Sequence, residues 1–191
     1  IEEDKIISPK DVAYFVDNNE VKWNDCIYGK QILNPYELNK EDKSQLFIVI
    51  ASTFYTEIKK QLEKMGFIDG IHFEMATLIP YIGRKYTCPC CEGKFDLFLD
   101  SGIKRRKSVR CPKCRSLERQ RLLWLYLKNK TEILREKISL LHIAPECSIE
   151  RNLKERENIN YTSMDLVSPR AMIKADITKM PFGDNTYDVF L

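Results

Sequence analysis

The residues with the most chemistry in reach of one another are Cys88-Pro-Cys90-Cys91 and Cys111-Pro-Lys-Cys114. They form two Cys-x-x-Cys pairs with 19 residues between Cys91 and Cys111. Two thiolates three positions apart can grip one metal ion from a tight turn, and two such turns supply the corners of a tetrahedron. A proline after the first cysteine of each pair fixes φ and stiffens the turn. The pattern predicts a structural zinc ribbon with Cys88, Cys91, Cys111 and Cys114 as ligands. Such a site is closed and leaves no open position for a substrate. Cys90 is the odd thiol and can replace Cys91 at poorer spacing. The plainer alternative is four buried or disulfide-paired cysteines. Cys26 and Cys147 are isolated and read as packing or surface thiols.

A second candidate is a carboxylate. Asp165 closes the run Tyr161-Thr-Ser-Met-Asp165 and lies 23 residues after His142. An acid at the end of the second strand is where nucleoside-binding α/β folds grip ribose hydroxyls. Lone His72 and His142 read as core or loop histidines. A third candidate is charge. Nine Lys or Arg and one acid, Glu118, lie between positions 104 and 121. That is a nucleic-acid footprint, or else a solvated hairpin and helix face.

These groups need elements to hold them. The 191 residues, 43% hydrophobic and 31% charged with a formal charge of +3, describe an ordinary globular chain. The length allows one large domain, or two small ones with a module between them. No apolar run reaches the roughly 18 residues of a membrane span, so no membrane insertion is expected. The acidic, polar start shows no signal peptide. Seven cysteines, four in metal spacing, then point to a reducing, cytoplasmic setting. The chain begins on Ile1 and ends inside Tyr-Asp-Val-Phe-Leu191, which reads as a strand just beginning. A fragment of a longer protein is expected.

Residues 1–78 read as strand, helix, strand, helix, strand with a parallel sheet. Strands are expected at 11–17, 46–51 and near 71–74; residues 29–35 read as a short strand and a turn, and Pro35 can open a helix through Glu37. A helix over 54–65 carries Ile58, Leu62 and Met65 at helical spacing, and Gly66 stops it. Residues 75–87 form a linker. Within 86–115, a strand over 95–100, a turn at Ser101-Gly102 and a return strand over 103–110 make the hairpin of the ribbon. Metal would hold so small a module together. Ser116 is a plausible N-cap for a helix over 116–128. Residues 138–146 read as a strand and turn, 149–157 as a helix, 161–165 as a strand, 174–182 as a strand and loop, and 185–191 as the start of another strand.

Two resemblances follow. Phe15-Val-Asp17-Asn-Asn19, Gly29-Lys-Gln-Ile-Leu-Asn-Pro-Tyr-Glu-Leu38, Phe47-Ile-Val-Ile-Ala-Ser52 and the helix up to Gly66 resemble half of a Rossmann-like domain of bacterial sugar and surface-polysaccharide proteins. In such domains an acid like Asp17 reaches a nucleotide ribose; otherwise Asp17 caps a loop. Over residues 86–191 the chain resembles a class I, type 11 S-adenosylmethionine-dependent methyltransferase preceded by a zinc ribbon. The residues that carry this are Ala175-Asp176-Ile-Thr-Lys-Met180-Pro-Phe182-Gly-Asp184-Asn-Thr-Tyr187-Asp188-Val, the Arg115-to-Leu127 helix and Leu141-His-Ile-Ala-Pro-Glu146. The fold class this implies is α/β: a partial Rossmann-like segment, a small zinc-ribbon module, and the N-terminal half of a Rossmann-like methyltransferase core.

That resemblance implies S-adenosylmethionine as cofactor and structural Zn2+. It places Asp165 on the ribose, with Leu166, Asp176 and Ile177 at the adenine. The family's first loop usually reads Asp-x-Gly-x-Gly-x-Gly. Here the aligned residues are His142, Ala144, Glu146 and Ser148, and the first three are expected beside the cofactor, with Glu146 on its ammonium group. A small-molecule or glycan acceptor follows from the N-terminal resemblance. A nucleic-acid binder or RNA methyltransferase, and a non-catalytic core with an interaction role, are the alternatives.

Overall fold

A computed structural model describes residues 7–191, which form a mixed α/β chain with small sheets. They divide into two compact units, one ending at Ile82 and the other spanning Gly83–Leu191. No helix among the described residues is long and apolar enough to cross a membrane.

In the first unit β1 (Phe15–Val16), β2 (Cys26–Ile27) and β3 (Lys30–Leu33) form a sheet in the order β1-β3-β2. β1 runs parallel to β3, with Phe15 opposite Ile32. β2 runs antiparallel to β3 through a two-residue turn, Tyr28-Gly29. Both turn residues have positive φ, +51° and +73°, which suits the twist of a tight hairpin. β4 (Ile48–Ile50) pairs in parallel with β5 (Phe73–Met75), and α1 (Tyr55–Lys64) connects them. Gly66 ends α1 at φ +81°, where a side chain would be strained. Leu38, Ile50, Leu62, Phe67 and Phe73 make the core.

The single parallel sheet expected of residues 1–78 is replaced by two small ones. The reason is local: the β2 hairpin occupies the second edge of β3. Pro35–Lys40 forms a 3-10 helix rather than a full α-helix. Asp17 caps its own loop, accepting the Asn19 N–H at 2.8 Å and pairing with Lys22 at 2.7 Å.

β6 (Ile82–Thr87) follows and pairs with β7 (Lys94–Phe95). β8 (Leu99–Ser101) and β9 (Arg106–Arg110) form an antiparallel hairpin. The strand expected over 95–100 therefore breaks in the middle. Asp96 turns aside to accept the Arg84 N–H at 2.9 Å, and each half finds a different partner. The return strand starts at Arg106 because 102–105 form a turn, with Gly102 at φ +86° and the Arg105 N–H on the Gly102 carbonyl at 2.9 Å.

After α2 (Glu118–Lys130) come β10 (Ile138–Ile143), α3 (Cys147–Lys154), β11 (Ile159–Asp165), β12 (Ile173–Lys174) and β13 (Val189–Phe190). The four strands lie in the order β12-β11-β10-β13, all parallel. The order reverses at β10, so two strands lie on one side of it and one on the other. Leu140, Leu141 and His142 are consecutive and all buried, the mark of a strand covered on both faces. Ile149 and Leu153 of α3 and Met164 of β11 are buried with them, as are Trp124 and Leu127 of α2. Burying each such side chain is worth about 1.5–3 kcal/mol.

Candidate metal centre and strand-edge site

The two Cys-x-x-Cys turns have the same backbone fold. The Cys88 N–H donates to the Gly93 carbonyl at 2.9 Å, and the Glu92 N–H donates back to the Cys88 carbonyl at 2.8 Å. In the second turn the Cys111 N–H donates to Ser116 at 2.9 Å and the Arg115 N–H to Cys111 at 3.1 Å. Glu92 and Arg115 follow the second cysteine of each pair, and both have left-handed φ, +58° and +63°. Such a backbone is strained for a side chain, and the paired hydrogen bonds hold it.

The turns bring four sulfurs together. The Sγ atoms of Cys88, Cys91, Cys111 and Cys114 all lie within 4.8 Å of one another. Cys88 and Cys114 are 3.6 Å apart, and Cys91 and Cys111 are 3.7 Å apart. A tetrahedral zinc with Zn–S bonds of about 2.3 Å requires sulfur–sulfur edges of about 3.8 Å. A disulfide would need about 2.05 Å, and all seven cysteines are free. The four residues are thus spaced to hold a metal such as zinc, and Cys91, not Cys90, belongs to the group.

Electrostatics agrees with that reading. Hydrogen bonds from Cys111, then Cys114, push the Cys88 thiol down. Hydrogen bonding with Cys111 pushes Cys91 up. The Cys111 hydrogen bond draws Cys114 down to about 6. One thiolate suppresses ionisation of its neighbours at this range, and a bound dication removes the conflict.

Ser116 does not cap α2, which starts after Leu117. Its hydroxyl is buried beside the sulfurs, 3.1 Å from Cys114 and 3.4 Å from Cys88. A hydroxyl there can donate to a thiolate, a role that spacing rules do not reveal. Arg121 also turns inward. It donates to the Val109 and Ser116 carbonyls at 2.9 and 2.6 Å and covers the Phe98 ring at 4.4 Å. It joins the hairpin to the second turn instead of adding to the surface charge. Cys90 faces α2, its thiol 3.9 Å from the Gln120 carbonyl, while its own carbonyl accepts Asn152 Nδ2 of α3 at 2.8 Å.

The remaining expected site residues lie at or just behind the C-terminal edge of the β12-β11-β10-β13 sheet. Ile143 is opposite Met164 and Asp165 is opposite Lys174. Ala144, Glu146, Asp165 and Leu166 therefore leave neighbouring strands at one edge, and Asp176 and Ile177 follow β12 there. Asp165 Oδ1 accepts the Val167 and Ser168 N–H groups, both at 2.8 Å. These bonds hold its carboxyl below the usual range. Asp176 Oδ1 likewise accepts the Thr178 N–H and hydroxyl, both at 2.8 Å. Leu166 and Ile177 are exposed.

His142 points elsewhere. Its ring is buried, with Nδ1 2.9 Å from the Tyr161 hydroxyl and Nε2 3.5 Å from Glu146. Burial holds the imidazole below its ordinary value, against the pull of Glu146. A proton on Nε2 satisfies both partners, since Nδ1 then accepts the Tyr161 O–H. Glu146 also lies 3.9 Å from Arg119 of α2. Ala144 has φ +50°, a left-handed backbone that glycine adopts at no cost. Ser148 is buried, and its hydroxyl donates to Gln120 at 3.3 Å.

No protein-family model, no curated protein and no solved structure matches this chain.

Proposed function

We propose that residues 83–191 form an S-adenosylmethionine-binding methyltransferase unit whose zinc ribbon is structural. The observation that carries this reading is the parallel order β12-β11-β10-β13, with acids at the edge where the order reverses. That order matches the one expected for the first four strands of a doubly wound Rossmann-like sheet, and nucleotides bind such sheets outside the carboxyl ends of the strands at the reversal.

The residues at that edge fit the ligand. Asp165 spends Oδ1 on its own loop, and Oδ2 accepts no hydrogen bond among the described residues, so it is open to ribose hydroxyls. Leu166 and Ile177 offer exposed apolar surface to a purine, and Asp176 pins the turn that carries Ile177. Glu146, oriented by His142 Nε2, can hold an ammonium group. The loop has no glycine, but Ala144 keeps a left-handed backbone, so the main chain there takes the path a glycine would give it. When bound, S-adenosylmethionine supplies an electrophilic methyl group on a sulfonium. The chain's part is to position it and exclude water. At the ribbon, Cys88, Cys91, Cys111 and Cys114 would hold Zn2+, which supplies structure only, because four sulfurs close the coordination shell.

The test is a calorimetric titration of zinc-loaded protein with S-adenosylmethionine. Saturable one-to-one binding is expected, competed by S-adenosylhomocysteine. No heat at millimolar ligand, with the ribbon metallated and folded, would falsify the proposal.

A further inference from the structure

Charge is segregated along this chain. Residues 83–116 carry ten Lys or Arg and three acids, a net +7, while the whole chain is +3. All other residues together are therefore net −4. Part of the ribbon's charge is neutralised in place, since Lys107 pairs with Asp100 at 2.8 Å and Arg106 pairs with Glu118. Arg84, Lys94, Lys104, Arg105 and Arg115 are exposed and form no ion pair among the described residues. Lys104 and Arg105 sit at the tip of the β8–β9 hairpin, and Arg115 sits on the second cysteine turn.

An aromatic platform belongs to the same module. Tyr86 stacks on Phe98, with ring centroids 5.7 Å apart and planes 29° from parallel. Phe98 is itself covered by Arg121, and Lys85 lies 5.3 Å from the Tyr86 centroid. Tyr86 nevertheless remains 41% exposed. Its ring is packed on Phe98, has the flexible Lys85 ammonium over it, and is partly open to solvent.

We propose that the ribbon binds single-stranded nucleic acid, with Lys104, Arg105 and Arg115 contacting phosphates and Tyr86 stacking on an unpaired base. Clustered cations supply the sequence-independent affinity of such surfaces, and an aromatic ring accepts any base whose face is free. A duplex hides its base faces. An acidic peptide or an anionic membrane would use the charge and leave Tyr86 without a role. The inference rests on the metal-held ribbon but not on methyl transfer, so a protein that fails to bind S-adenosylmethionine leaves it intact.

The test is fluorescence anisotropy of the full, zinc-loaded chain with a labelled oligouridine of about 20 nucleotides. Three phosphate contacts at about 0.7 each predict a roughly 20-fold loss of affinity between about 50 and 200 mM salt. Lys104→Glu with Arg105→Glu should flatten that dependence to about one contact. Tyr86→Ala should weaken binding about tenfold and leave the salt slope unchanged. Zinc content equal to wild type certifies that each variant is folded, and the charge-reversal pair on an exposed turn does not disturb the core. Single-stranded DNA binding alongside RNA supports the proposal. It is overturned if metallated protein shows no binding at about 50 mM salt. It is equally overturned if duplex RNA, polyglutamate or phosphatidylserine vesicles compete as well as the single strand and Tyr86→Ala changes nothing.

Discussion

The cysteine turns and the C-terminal edge of the β12-β11-β10-β13 sheet are both short loops after regular elements, yet they finish in opposite ways. In the turns, backbone hydrogen bonds close on themselves and drive four sulfurs into one cluster. At the strand edge, Asp165 and Asp176 each satisfy their own loop with one oxygen and leave the other open. The first arrangement is complete once a single ion enters. The second is a row of separate groups that only a ligand spanning three strands would unite. A metal site can be assembled by local turn geometry, whereas a cofactor edge needs the sheet first.

The largest effect should come from emptying the cysteine cluster. Besides the cysteines, Phe95 and Ser116 are the only fully buried side chains described in residues 83–116, so a bound metal would supply what a core otherwise does. Apparent binding energies of structural zinc are about 10–16 kcal/mol. Cys88→Ser, or chelation, should abolish metal retention and strip hydrogen-exchange protection from residues 88–116. The β10 and β11 amides should keep most of theirs. Equal loss in both regions would break the comparison and make them one cooperative unit.

At the strand edge, Asp165→Ala should weaken S-adenosylmethionine binding about tenfold or more, as loss of a charged hydrogen-bond acceptor does. The melting temperature should fall only slightly, because this half-buried carboxylate supports only its own loop. A stability loss without an affinity loss would mark Asp165 as a loop cap only. Ser116→Ala should speed transfer of zinc to a competing chelator and lower affinity about tenfold, the lower end for a group supporting metal ligands. Unchanged affinity would leave Ser116 a packing residue. The smallest effect belongs to Ala144→Gly, which should relieve a left-handed backbone and raise stability by about 1 kcal/mol in urea unfolding. A loss of stability would show that the Ala144 methyl packs usefully.

Local signals in the chain are legible because local physics decides them. The Cys-x-x-Cys spacing, the stop at Gly66 and the strand ending on Asp165 depend on neighbours a few residues away. The Ile58 and Leu62 spacing of α1 is legible for the same reason, since both side chains belong to the core of the first unit. What stayed hidden depends on distant partners. Ser116 resembles a helix cap until the Cys88 loop arrives from 28 residues upstream. Arg121 belongs to a basic run by sequence but is captured by Phe98 and two carbonyls. The resemblance sets His142 beside a cofactor, whereas Tyr161 on the neighbouring strand takes its ring, as the plainer reading of a core histidine expects. In the first unit, apolar runs announce strands correctly without saying which edges they share.

The cluster of four thiolates is the claim on which the rest stands. X-ray absorption at the zinc edge of metal-loaded protein tests it most directly. The structure predicts one zinc per chain with four sulfur neighbours at about 2.3 Å. A shell containing nitrogen or oxygen, or fewer than four sulfurs, would contradict it.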